Sequence, residues 1–289
     1  MTGIEPAFSG DFDWQKVRLA TADFKRIREL IETQVGIQTP PGKRVMVETR
    51  LRRRLRALGM TSFTDYANRI FGPDADQEEI VHLIDAITTN KTDFFREPSH
   101  FDYLVRDALP TLLRGRDSST LFTMWSAASS TGEEPYTLAM VLDGFMEKRA
   151  FNWRIIASDV STEVLTRAQR AIYPESLAEP IPPALRYKYL LRSRDRERAL
   201  VRIVPSLRQK VNFLRVNLLS PRYDIPKPVD VIFCRNVFIY FNRQTQGQIL
   251  ERFCEYLRPG GYVFLGHSET VNGISVSLAQ VAPTVYRKL

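Results

Sequence analysis

Leu121-Phe122-Thr123-Met124-Trp125-Ser126-Ala127-Ala128-Ser129-Ser130-Thr131-Gly132-Glu133-Glu134-Pro135-Tyr136 is an apolar run that stops at small polar residues and then opens a helix. This is the pattern of the loop after the first strand of a nucleotide-binding α/β sheet. The loop holds one glycine and two carboxylates, and no lysine follows the glycine, so its electrostatics oppose a phosphate. A neutral or cationic ligand suits it. Such a sheet needs an acidic residue at the end of its second strand to hold ribose hydroxyls, and Trp153-Arg154-Ile155-Ile156-Ala157-Ser158-Asp159 supplies one, 25 positions after Glu134. S-adenosylmethionine, a sulfonium with an amino-acid tail and a ribose, meets both requirements.

Downstream, short apolar runs at 121–125, 153–158, 211–215, 229–234, 262–266 and 284–288 read as buried strands of the parallel type, with helices between most of them. Residues 173–210 are the exception: Pro174, Pro180, Pro182, Pro183 and Pro205 forbid a long helix, which predicts a small inserted subdomain. Leu257-Arg258-Pro259-Gly260-Gly261 is expected to stop a helix before the strand from Tyr262. Upstream, Pro98 opens a helix with the stripe Phe101, Leu104, Val105, Ala108 and Leu112.

The first 90 residues carry only helical spacing: Phe24, Ile27, Leu30, Ile31 and Val35, ended by Gly36; a helix over 43–58 on Val47, Leu51, Leu55 and Leu58; a third opened by Ser62 with Asp65; and a fourth on Ile80, Leu83, Ile84 and Ile87. Arg50, Arg53 and Arg56 are expected on the outer face of the second. The fold class is therefore α/β over 91–289, an open and mostly parallel sheet with a small inserted subdomain at about 173–210, preceded by a small all-α domain over 1–90.

Composition bounds the function. Hydrophobic residues make up 44% of the 289 and aromatics 11%, enough for a large core. No run approaches the roughly 20 apolar residues of a membrane span, and Met1 to Asp13 is polar and acidic rather than a signal peptide, so a cytoplasmic, soluble chain is expected. Cys234 and Cys254 sit in apolar patterns without metal spacing, which predicts free thiols and no metal. The net charge of +8 is concentrated: seven basic residues against Glu48 in 43–56, and nine against Asp195 and Glu197 in 186–210, leave the rest of the chain net acidic. Localised acidic partners fit this better than a nucleic-acid-coating surface.

Four stretches in order carry a resemblance: Thr88-Thr89-Asn90-Lys91-Thr92-Asp93-Phe94-Phe95-Arg96-Glu97, the Trp125–Tyr136 loop, Phe233-Cys234-Arg235-Asn236-Val237-Phe238-Ile239-Tyr240-Phe241, and Leu265-Gly266-His267-Ser268-Glu269. The chain resembles the CheR family of chemotaxis receptor methyltransferases over nearly its whole length, which implies a doubly wound Rossmann-like S-adenosylmethionine methyltransferase domain with a small β-subdomain insertion, preceded by a small all-α domain. The resemblance implies transfer of a methyl group from S-adenosylmethionine, giving S-adenosylhomocysteine, to glutamate side chains of chemoreceptors. It places cofactor contacts on Asn90, Thr92, Arg96, Glu134, Asp159, Asn217, Leu218, Arg235 and Asn236, with Arg96 and Tyr240 nearest the transferred methyl. Each also has a structural reading: Asn90 and Thr92 as helix caps, Arg96 and Arg235 as ion pairs, Tyr240 as a core aromatic.

A glutamate of pKa about 4.3 is ionised at neutral pH and attacks a methyl directly, so no general base is required. The expected partner is the acidic coiled coil of the receptor's cytoplasmic domain, met by Arg50, Arg53 and Arg56, with the enzyme acting as a monomer. Family members that dock a receptor tether peptide carry glycines in a tight loop of the subdomain. Arg192-Ser193-Arg194-Asp195-Arg196-Glu197-Arg198 has none, which predicts tether-independent action. A nucleic-acid methyltransferase and a non-catalytic S-adenosylmethionine-binding signalling adaptor are the rival readings. Against the first, the chain carries no Asn-Pro-Pro-Tyr-like base-flipping motif.

Overall fold

The structure, a computed structural model, describes residues 13–289 apart from Asp74 and Lys148. The reading of Met1 to Asp13 therefore falls, but for its last residue, outside the described residues. The chain forms two compact units, Met1–Thr89 and Asn90–Leu289.

The first unit holds α1 (Thr21–Val35), α2 (Arg44–Leu58), α3 (Phe63–Phe71) and α4 (Gln77–Ile87), with no strand among its described residues. Gly36 closes α1 in the left-handed region, at φ 75°, and Ser62 caps α3 by accepting the N–H groups of Thr64 and Asp65. Val47, Leu51 and Leu55 of α2 are fully buried, as their spacing predicts. The arginines of α2 divide. Arg54 forks onto Glu79 at 2.6–2.9 Å, and Tyr66 Oη donates to the same carboxylate at 2.8 Å. Glu79 is only 1% exposed, so removing Arg54 would strand a buried charge at a cost of about 3–5 kcal/mol. Arg52 pairs with Glu48.

Arg50 does not join the outer face. Its guanidinium donates to the carbonyls of Ile87 and Thr88 and to Thr89 Oγ1, because the last carbonyls of α4 lack partners of their own. Arg53 and Arg56 remain exposed, with Arg56 5.4 Å from the Trp14 ring.

The second unit opens with α5 (Ser99–Tyr103) and α6 (Leu109–Leu113), joined by a π turn at Leu104–Ala108. Pro110 has no N–H to give Arg106, and the hydrogen-bond ladder slips by one residue there. The slip moves the apolar stripe: Leu109 and Leu113 are buried, while Val105 and Leu112, expected inside, are only half-buried.

The main sheet comprises β1 (Phe122–Ala127), β2 (Trp153–Asp159), β6 (Val211–Arg215), β7 (Val229–Cys234), β8 (Leu257–Leu265), β9 (Leu278–Ala282) and β10 (Val285–Lys288), in the order β6-β2-β1-β7-β8-β10-β9. The first five strands of that order are parallel. The run at 284–288, expected to be parallel, pairs antiparallel with β8, because its partner β9 delivers it by a tight turn rather than a crossover. β8 also begins earlier than expected: Leu257 pairs with Val229, and the proline and glycines lie within the strand, at a register irregularity. α7 (Glu133–Met146), α8 (Thr162–Arg170) and α11 (Arg243–Tyr256) connect the parallel strands. Phe233 and Phe264 stack at 4.3 Å in the core.

Between β2 and β6 the chain forms β3 (Ile172–Pro174), α9 (Pro183–Tyr189), β4 (Leu190–Arg192), β5 (Leu200–Ile203) and α10 (Pro205–Arg208), with a three-stranded antiparallel sheet ordered β3-β5-β4. From β1 the chain moves outward through β2 to β6, then returns to β7 on the other side of β1. That reversal opens a crevice at the carboxyl ends of β1 and β7.

Candidate active site

The loop after β1 is bent by three left-handed residues, Ala128 (φ 58°), Ser130 (φ 49°) and Gly132 (φ 98°). This curvature turns backbone N–H groups toward the end of β2. Ser129 N donates to Ser158 O at 2.8 Å and Ser130 N to Asp159 Oδ2 at 2.9 Å. Asp159 Oδ1 accepts Ser161 N at 3.0 Å, so the carboxylate is held by its own loop. Ser130 Oγ donates to the carbonyl of Asn90 at 2.9 Å, which brings that segment to the loop. Val216 N donates to Asp159 O, and Asn217 and Leu218 follow at once. Asn217 Oδ1 accepts Leu219 N, while Tyr223 Oη and Arg252 donate to Leu218 O.

The two carboxylates of the opening stretch diverge. Glu133 turns to Thr131 Oγ1 at 2.7 Å and is buried. Glu134, 13% exposed, accepts Ser126 Oγ at 2.7 Å and Arg235 Nη1 at 3.3 Å. Burial raises the Glu134 pKa, against the opposing pull of Arg235.

Arg235 leaves the end of β7 and is almost enclosed, its side chain 2% exposed. It donates to Glu97 Oε2 from Nη2 at 3.0 Å and from Nε at 3.3 Å, and also to the carbonyl of Arg96. The rings of Phe101 and Phe233 lie 5.4 and 5.9 Å from its guanidinium. Asn236 is left-handed at φ 60°; its Nδ2 donates to Glu97 Oε1 at 3.1 Å and its N–H to Glu269 Oε2 at 3.0 Å. Glu269 also accepts the N–H groups of Phe238 (2.7 Å) and Gly266 (2.6 Å). Arg96 is half-buried, with Nη1 donating to Lys91 O; Thr92 is half-buried as well. Tyr240 is half-buried in the 3₁₀ turn Phe238–Tyr240.

Two connected groups result: Asn90, Asp159 and the β1 loop in one; Arg96, Glu134, Arg235 and Asn236, knit by Glu97, in the other. Glu97 and Glu269 were given no role by sequence reasoning, although both lie in motifs quoted above. Arg50, Arg53 and Arg56 belong to the first unit. Both cysteines are free; Cys234 is fully buried, and burial pushes its thiol well up. Among the described residues, Glu97, His100 and His267 have ligand atoms within metal-chelating distance of one another. There the Glu97 carboxylate already faces the Arg235 guanidinium.

Residues 90–286 match the CheR methyltransferase S-adenosylmethionine-binding domain, and residues 22–88 match the CheR methyltransferase all-alpha domain. The chain belongs to the CheR methyltransferase family. It is 41% identical to a chemotaxis protein methyltransferase of Klebsiella aerogenes, an alignment covering 94% of this chain and 91% of that one. The CheR-family relative from Escherichia coli, another chemotaxis protein methyltransferase, is 40% identical over 94% and 92% of the two chains. Chemotaxis protein methyltransferase 2 of Pseudomonas aeruginosa is 38% identical over 95% and 96%. This CheR-family chain is thus an S-adenosylmethionine-dependent methyltransferase. No helix among the described residues is long and apolar enough to cross a membrane.

Proposed function

We propose that this protein esterifies glutamate side chains of chemoreceptors with the methyl group of S-adenosylmethionine, in the cytoplasm and as a monomer. The observation that carries the reading is the pair of enclosed carboxylates at the crevice, Asp159 at the tip of β2 and Glu134 at the first turn of α7. They suit a ligand with a diol at one end and an ammonium at the other. The donor set fits S-adenosylmethionine: Asp159 for the ribose, Glu134 for the ammonium, Arg235 and Asn236 with Asn90 and Thr92 for the methionine portion, Asn217 and Leu218 for the adenosine. When bound, the cofactor supplies an electrophilic methyl on a sulfonium.

The protein's own residues have a limited task, because the acceptor glutamate is already a nucleophile. They must align it, keep water away and accommodate a carboxylate that loses its charge as the ester forms. Arg96 steers the acceptor carboxylate, and Tyr240 positions it. This is supported by the half-exposure of both side chains.

The test is incubation with methyl-labelled S-adenosylmethionine and receptor-containing membranes. Base-labile label on protein is expected. Stable label on RNA or DNA, or no transfer at all, selects a rival reading. Near-normal turnover in Arg96→Ala and Tyr240→Phe, with unchanged cofactor affinity, removes the roles given to those residues.

Receptor capture is assigned to the exposed Arg53 and Arg56, complementary to acidic receptor helices. Reversing both to glutamate is expected to raise KM for receptor about tenfold or more while leaving cofactor affinity unchanged. Equal loss of cofactor binding in calorimetry would make α2 merely structural. The same assay addresses the receptor tether. The 193–199 connection is glycine-free, and this supports action without a tether, although Ala199 reaches the left-handed region at φ 43° without a glycine. Tether-peptide binding that is abolished by mutating this loop would contradict it.

A further inference from the structure

The residue that organises the site is one that touches none of the groups assigned to the cofactor's adenosine end. Glu97 Oε1 accepts Asn236 Nδ2 at 3.1 Å and His267 N at 3.2 Å; Oε2 accepts Arg235 Nη2 at 3.0 Å and Nε at 3.3 Å. One carboxylate thus fixes two side chains from the end of β7 and the backbone after β8. Burial opposes its ionisation, but the Asn236 hydrogen bond and the Arg235 charge outweigh that and hold its pKa below the usual carboxylate value.

The backbone is bent to place this carboxylate. Phe95 and Glu97 are left-handed at φ 53° and 56°, conformations that L residues resist, and they flank Arg96. Phe95 is held there by its N–H to Thr137 Oγ1 and by the edge of Phe101. Arg235 meanwhile stands between two carboxylates, with two contacts to Glu97, at 3.0 and 3.3 Å, and a single one of 3.3 Å to Glu134. Without charge at Glu97, the guanidinium would turn fully onto Glu134 and quench the carboxylate that receives the ammonium.

The geometry points to Glu97 as a positioning residue for the methionine end of the cofactor: it orients Asn236 and restricts Arg235 to a single contact with Glu134, so that this carboxylate can still receive an ammonium. The assignment rests on the cofactor reading given above.

The test compares two ligands that differ at that end, S-adenosylhomocysteine and methylthioadenosine, which lacks the amino-acid tail. In Glu97→Gln, calorimetry on the folded variant, at a temperature below its lowered melting point, is expected to show S-adenosylhomocysteine weakened at least about tenfold and methylthioadenosine changed by less than about twofold. Glu97→Asp keeps the charge on a shorter arm and recovers part of the loss. Equal weakening of both ligands, weakening of neither, or no recovery with aspartate overturns the assignment. Wild-type protein that binds neither ligand would overturn the cofactor reading instead.

Discussion

Gly132→Ala is expected to lower stability by about 3 kcal/mol and thermal unfolding by roughly 5–10 °C. The glycine sits at φ 98°, where an L side chain is strained by about 1–2 kcal/mol. Its new Cβ would lie 2.9 Å from both Ala168 Cβ and Tyr173 Oη and 3.2 Å from Ala168 Cα. Neither neighbour can retreat. Tyr173 Oη is bonded to Thr131 O at 2.9 Å, and the carbonyl of Ala168 receives Tyr136 Oη at 3.0 Å. The strain falls on the loop that carries the Ser130 bond to Asp159, so cofactor affinity should drop with stability. A melting curve within about 1 °C of wild type would show that the loop relaxes freely.

Gly266→Ala is expected to act on chemistry more than on folding. A Cβ there would lie 2.5 Å from Asn236 Nδ2, 2.8 Å from its N and 3.0 Å from its Cγ. Asn236 has to move, and it is the residue Glu97 and Glu269 hold at φ 60°. A displacement near 1 Å in a positioned group costs about 100-fold in rate, so turnover should fall by about that factor. S-adenosylhomocysteine binding should weaken in parallel. Full turnover in the folded variant would mean Asn236 plays no part in positioning the reactants.

Much of this arrangement could be read from the chain alone, where the cause was local. The β1 loop, the acid at Asp159 and the helices of the first unit follow from periodicity and from residues a few places apart. What escaped depends on partners far away in sequence. Glu97 and Arg235 are 138 positions apart, and no spacing rule links them. Arg50 lay at the edge of its helical stripe, and only the unsatisfied end of α4 decided its direction. The stripe of α5 and α6 was misjudged at Val105 and Leu112 because one proline changed the winding between them. β9 and the strands of the small sheet are three to five residues long, too short for alternation to stand out.

The enclosure of Arg235 beside the exposure of Arg53 and Arg56 gives the enzyme two classes of charge with different sensitivity to dissolved ions. Counter-ions at physiological strength damp fields beyond about 8 Å in open water but barely penetrate a protein interior. Raising ionic strength should therefore slow the encounter with a receptor while leaving the grip on the methyl donor almost untouched. The proportion of enzyme loaded with donor would then be insulated from shifts in the salt content of its surroundings.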